Sequence, residues 1–309
     1  MTGRQPPADN ERWRSYAHAR LEREYSPSSR IGGDYRPIIA EYVARSARAR
    51  ATSRCRRDLS YGGHPDERLD LFLAPRADAP LLVYIHGGYW QELSKAASAF
   101  AACDAIAAGC AFAAVGYTLA PAASLDRIVE QCRRAVDWLF EQAQALGVDP
   151  GRIVLAGSSA GAHLAAMSLL GGRGRGRNRG RAAAGAVLVS GIYDLRPLVR
   201  TYVNDALGLD EAAALRASPL ALDLGGLPPT IVARGANETA EFARQSDAFA
   251  AALAAARVPS RTIVAQARNH FDVVLDLVRT GSPLGDATLA LLHGHPDQAR
   301  GTRTLPVVG

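Results

Sequence analysis

The 309-residue chain is 48% hydrophobic, enough to bury a large core in one α/β domain. Its formal charge of +6 reflects 36 Lys and Arg against 30 Asp and Glu, nearly all the cations being Arg in an Ala- and Gly-rich chain. That balance is at most a hint that an anionic substrate is tolerated. Cys55, Cys103, Cys110 and Cys132 form no Cys-x-x-Cys pair, which suits reduced thiols in a cytoplasmic protein better than a disulfide framework.

In chain order, residues 1–20 are polar without an apolar core, unlike a secretory signal, and residues 1–10 read as disordered. Residues 11–24 and 35–50 suit helices, making 1–50 a helical extension packed on the core. Segments 55–60 and 68–73 read as short strands around the turn-rich Tyr61-Gly62-Gly63-His64-Pro65-Asp66. The continuous apolar run 81–85 is expected to be a strand buried on both faces, ending in His86-Gly87-Gly88-Tyr89-Trp90. Helix (about 95–108), strand (111–115), helix (about 125–146), strand (152–156) and helix (160–170) then alternate. The most apolar region, 96–115, contains Asp104 and Gly109 and so reads as a helix and a strand, not a membrane span. This order predicts right-handed crossovers and an α/β fold with a mainly parallel sheet and helices on both faces.

Residues 171–181 place five Arg in a Gly background without an aromatic, which reads as a surface loop in preference to a nucleic-acid contact. Strands at 186–189, 230–233 and 261–264 and helices at 241–256 and 271–279 complete a single domain over 51–293. The Gly/Pro/Arg-rich tail 294–309 is expected to be loosely held.

The chemistry centres on Gly157-Ser158-Ser159-Ala160-Gly161, between the apolar run 153–156 and a helix-prone segment. A sharp strand-turn-helix with Ser159 at its apex is nucleophile-elbow geometry, though small residues alone also fit an ordinary junction. Serine hydrolysis further needs a base, a carboxylate to orient it and donors for the oxyanion. His270 sits in a strand-to-helix loop late in the chain, where the base belongs. His163 lies on the helix after the elbow and is expected in packing. Glu238 lies in the loop after strand 230–233 and is preferred as the acid over Glu241, which opens the next helix and suits its dipole, and over Asp247. Gly87, Gly88 and Ala160 supply backbone N–H groups for the oxyanion.

The residues His86-Gly87-Gly88-Tyr89-Trp90, Gly116-Tyr117-Thr118-Leu119-Ala120-Pro121, the segment 157–165, and Glu241-Phe242 with Gln245-Ser246 resemble α/β-hydrolases of the kynurenine formamidase (arylformamidase) type. These are relatives of the hormone-sensitive-lipase-like esterases, and the resemblance runs from about Tyr25 to Val278. It implies an α/β-hydrolase fold and hydrolysis of N-formylkynurenine to kynurenine and formate by Ser159, His270 and Glu238. Tyr89, Tyr193 and Tyr202 are candidates to face the aryl group. A short-acyl carboxylesterase, or a non-catalytic ligand binder on the same scaffold, are the alternatives. A small-molecule substrate is expected, with no cofactor, metal, nucleic acid or membrane partner, and homodimerisation left open. The acid, often Asp in this family, is here Glu238. The Arg/Gly tract and the tail match no family feature.

Overall fold

The computed structural model describes residues 8–171 and 182–294. Their sheet comprises β1 (Cys55–Ser60), β2 (Arg68–Phe72), β3 (Ala79–Ile85), β4 (Ala111–Val115), β5 (Val148–Ser158), β6 (Gly185–Val189), β7 (Thr230–Asn237) and β8 (Ser260–Asn269). Their spatial order is β1-β2-β4-β3-β5-β6-β7-β8. The β1–β2 and β2–β4 pairs are antiparallel, and every pair from β4–β3 to β7–β8 is parallel. Parallel neighbours send their carboxyl ends to one edge, so the loops after β3, β5, β6, β7 and β8 meet there. That edge is where open α/β sheets bind ligands.

The helices are α1 (His18–Glu24), α2 (Arg36–Thr52), α3 (Ala102–Ala107), α4 (Leu125–Gln142), α5 (Ala160–Gly171), α6 (Asn204–Leu207), α7 (Glu211–Arg216), α8 (Ala240–Ala255) and α9 (Pro283–Leu292). Alternation along β3 divides the core between two faces. Leu81, Val83 and Ile85 pack in the cluster that holds Leu139 of α4, Leu164 of α5 and Phe249 of α8. Leu82 and Tyr84 pack in the other, with Tyr42 of α2, Ala105 of α3 and Leu291 of α9. Both faces of β3 are buried, which explains its unbroken apolar run. No helix among the described residues is long and apolar enough to cross a membrane.

Several helical expectations change. Residues 95–108 are not one helix: a 3-10 turn, Lys95–Ala97, precedes α3. Arg50 donates to the carbonyls of Lys95 (2.8 Å) and Ala96 (2.7 Å), and the Ala99 N–H donates to Ser46 Oγ (3.0 Å), so α2 takes backbone groups that a continuous helix needs. Residues 271–279 form only a 3-10 turn, Val273–Asp276. Asn269 Oδ1 accepts from the N–H groups of Phe271 (2.8 Å) and Asp272 (3.2 Å), holding the chain in a turn, and the final helix is α9. Ala8–Ser15 is a 3-10 helix separated from α1, so residues 11–24 are not one helix. The expectations for 1–7, for 172–181 and for 295–309 lie outside the described residues.

Candidate active site

Ser159 stands between β5 and α5 with φ at +56°, a left-handed conformation that costs a non-glycine residue strain. Its N–H donates to Val189 O at 2.8 Å, tying the turn to β6. The flanking glycines are required by approach of backbones: a Cβ on Gly157 would strike Gly161 O, and one on Gly161 would strike Ile85 O. The strand before the turn and the helix after it therefore sit closer than side chains permit.

The loop after β3 passes against this turn. A Cβ on Gly87 would lie 2.7 Å from Ser158 O and 3.2 Å from Ser159 Cβ. The carbonyls of the loop are held from behind. Tyr117 Oη donates to His86 O (2.9 Å) and Gly87 O (3.3 Å), and its ring stacks on His86 at 4.2 Å. Burial pushes the His86 imidazole down to about 4, so it stays neutral. Ala160, fully buried, opens α5, where the first N–H groups of a helix lack intrahelical acceptors. Gly87 and Gly88 line the same cavity as Ser159, and Ala160 follows it at the start of α5.

His270 follows β8 directly, and its Nδ1 lies 3.1 Å from Glu238 Oε2. A proton on Nδ1 would make this contact a hydrogen bond donated to the carboxylate, with Nε2 the other ring nitrogen. The pair is buried, the side chains being 6% and 1% exposed. Glu238 follows β7, and its other oxygen, Oε1, accepts from Gly235 N–H (2.6 Å) and Ser190 Oγ–H (2.7 Å). Phe242 packs on the imidazole at 4.4 Å.

Ser159, His270, Gly87 and Gly88 line one cavity of about 450 Å³. Tyr35, Tyr42, Tyr84, Tyr89, Tyr202 and Phe271 give it a largely aromatic wall, beside the polar Arg36, Gln91 and Glu92. Tyr35 stacks on Phe271 at 4.8 Å, and Tyr89 meets Tyr202 edge-on at 6.4 Å. Of the three tyrosines singled out in the sequence, Tyr89 and Tyr202 are at this cavity. Tyr193 is not: it is fully buried, does not line the cavity, and stacks on Phe249 of α8 at 4.0 Å. Its apolar ring serves the core, which position after a strand does not reveal.

Glu241 differs from expectation in another way. Thr239 caps α8, and the Glu241 carboxylate, fully buried, accepts from Arg244 Nε (2.8 Å), Tyr25 Oη (3.1 Å) and Tyr16 Oη (3.2 Å). It anchors the N-terminal segment. That segment reaches the cavity: Ser26, Pro27 and Ser28 line it, and the Tyr25 carbonyl accepts from Tyr89 Oη (2.5 Å) and Tyr202 Oη (3.3 Å). Asp247 is exposed and faces Arg234 at 3.6 Å. His163 packs as expected, its Nε2 2.8 Å from Ala217 O and its ring edge-on to Trp90. Sequence reasoning missed Ser190, Tyr35 and Phe271. Ser190 and Phe271 closely follow β6 and β8, which is their only signal, whereas Tyr35 precedes α2, ahead of the first strand, and has none.

A family model for the alpha/beta hydrolase fold matches residues 82–273, a span that holds Gly87, Ser159, Glu238 and His270. The chain belongs to the α/β-hydrolase family. The kynurenine formamidase of Danio rerio is 36% identical to this hydrolase over 279 residues, 86% of this chain and 93% of that protein. The kynurenine formamidase of Salmo salar is 35% identical over 283 residues, 86% and 94% of the two chains. The family resemblance carried by the sequence motifs is borne out. A crystal structure of a protein from Silicibacter sp. tm1040 matches this hydrolase with a TM-score of 0.77 at 29% identity, covering 88% of this chain and 98% of that one.

Proposed function

We propose that this hydrolase cleaves N-formylkynurenine to kynurenine and formate, with Ser159 as nucleophile, His270 as base and acid, and Glu238 as the carboxylate that orients it. The observation that carries the reading is an aromatic-walled cavity opening on Ser159 and His270 in a chain 36% identical to a kynurenine formamidase. Its volume of about 450 Å³ falls within the usual ~300–1,000 Å³ of small-molecule sites.

Ser159 Oγ attacks the formyl carbon as its proton passes to His270 Nε2. Glu238 accepts the Nδ1 proton in a hydrogen bond and stabilises the imidazolium. The oxygen of the tetrahedral intermediate is met by the N–H groups of Gly87, Gly88 and Ala160. The C–N bond breaks as His270 returns the proton to the aryl nitrogen, leaving formyl-Ser159 and a free arylamine. Water, deprotonated by His270, attacks the formyl-enzyme, and formate leaves as Ser159 regains its proton. Tyr89 and Tyr202 flank the aryl group, which an aromatic wall suits by edge and face contacts. The substrate fits no metal requirement, since the charge that develops is answered by backbone N–H groups.

Residues 51–293 act as one catalytic domain, with the described part of the N-terminal extension packed on it. The free Cys55, Cys103, Cys110 and Cys132 suit a reducing compartment such as the cytoplasm. Kynurenine release by the purified protein, followed by absorbance, tests the reading. Ser159→Ala and His270→Ala are each expected to abolish release while the circular dichroism spectrum stays that of the parent. Full activity in either variant overturns the assignment.

A further inference from the structure

We propose that Ser190 is a positioning residue for hydrolysis: its hydroxyl fixes the Glu238 carboxylate in the one orientation that meets His270. The proposal rests on the reading of Ser159, His270 and Glu238 as the reacting unit. Glu238 leaves from the end of β7 on a side chain one carbon longer than that of aspartate, with an additional torsion to restrain. Two donors restrain it. Gly235 N–H and Ser190 Oγ–H both reach Oε1, at 2.6 and 2.7 Å, leaving Oε2 for His270 Nδ1 at 3.1 Å. The first donor is local backbone; the second comes from the neighbouring strand and fixes the carboxylate plane against the sheet.

The backbone at Ser190 points to the same role. Ser190 is fully buried, follows β6, and holds φ at +50°, in the left-handed region where glycine is the unstrained choice. Its N–H donates to Ala233 O of β7 at 2.7 Å, so the strained turn is fastened to the strand that carries Glu238. A strained serine where glycine would relax is explained if the hydroxyl is needed, and Glu238 Oε1 is what it meets.

Ser190→Gly tests this, since it removes the hydroxyl and relieves the φ strain together. Loss of one hydrogen bond to a buried charge predicts kcat lower by about 10- to 100-fold, with KM nearly unchanged and the melting temperature no lower than that of the parent. Ser190→Ala keeps the Cβ and is expected to lose the same factor. The decisive comparison repeats Ser190→Gly in a Glu238→Ala background, with p-nitrophenyl acetate as substrate. If Ser190 acts through Glu238, kcat there changes by less than about two-fold. The same proportional loss in both backgrounds, or a parental kcat in Ser190→Gly alone, overturns the proposal. Full turnover by Glu238→Ala alone instead overturns the underlying assignment of the acid, and the positioning role with it.

Discussion

Replacing Glu241 by Gln separates it from Glu238, three residues earlier, by what each carboxylate holds. The Glu241 carboxylate is fully buried and receives both Nε and Nη2 of Arg244, at 2.8 and 2.7 Å, together with the hydroxyls of Tyr16 and Tyr25. Arg244 is itself buried, so an amide at 241 removes a full negative charge from beside a buried guanidinium. Breaking such a pair costs about 3–5 kcal/mol, and an unfolding entropy typical of a chain this long converts that to a melting temperature lower by about 5–8 °C. The damage extends to substrate binding, because Tyr25 also supplies the carbonyl that holds Tyr89 and Tyr202 at the cavity wall. Differential scanning fluorimetry should report the destabilisation, and steady-state kinetics a raised KM with a smaller change in kcat. Glu238→Gln should show the opposite split, with kcat collapsing by orders of magnitude. A Glu241→Gln protein that melts with the parent, or loses kcat as Glu238→Gln does, would refute this division of roles.

Gly87→Ala places a methyl 2.7 Å from Ser158 O and 3.2 Å from Ser159 Cβ, so the oxyanion loop must retreat. A fall in kcat of about 10²- to 10³-fold is expected, the usual cost of one misplaced oxyanion donor, and a parental kcat would exclude Gly87 from that role. Stability should depend on pH through His86 and His163, both pushed down to about 4 by burial. Their unfolded forms bind protons below about 6.5, so stability is full above that pH and falls between about 6.5 and 4, by up to roughly 3 kcal/mol per histidine. Urea unfolding across this range checks the slope, which His163→Gln should reduce; a flat profile in the parent would contradict the neutral, buried state. Tyr202→Phe deletes a hydroxyl 3.3 Å from Tyr25 O while keeping the aromatic wall, and a KM change of no more than a few-fold is expected from substrate titration.

The parallel sheet was legible because burial on both faces leaves a simple mark: 81–85 and 111–115 are unbroken apolar runs and both are strands of the sheet. The elbow was legible for a related reason, since only glycine survives the approach of Gly157 to Gly161 and of Gly161 to Ile85. What the sequence hid depends on side chains from distant elements. Arg50 and Ser46 interrupt an Ala-rich stretch that propensity alone would run as one helix from 95 to 108. Glu241 sits in the first turn of α8, where a helix dipole explains an acid well enough, and the approach of Tyr16 and Tyr25 cannot be read from spacing. Tyr193 and Tyr202 look alike in sequence, yet one stacks in the core on Phe249 and the other lines the cavity. Ser190 leaves no motif because its partner is 48 residues away, just past the end of the next strand.

The carbonyl that Ser159 attacks defines the reaction. The most direct measurement is kcat/KM for N-formylkynurenine beside that for p-nitrophenyl acetate, on the same preparation and with Ser159→Ala as the control. A strong preference for the formamide, lost with the serine, is the result predicted. A strong preference for the ester, with little or no kynurenine released, would contradict it and leave this α/β-hydrolase a short-acyl esterase.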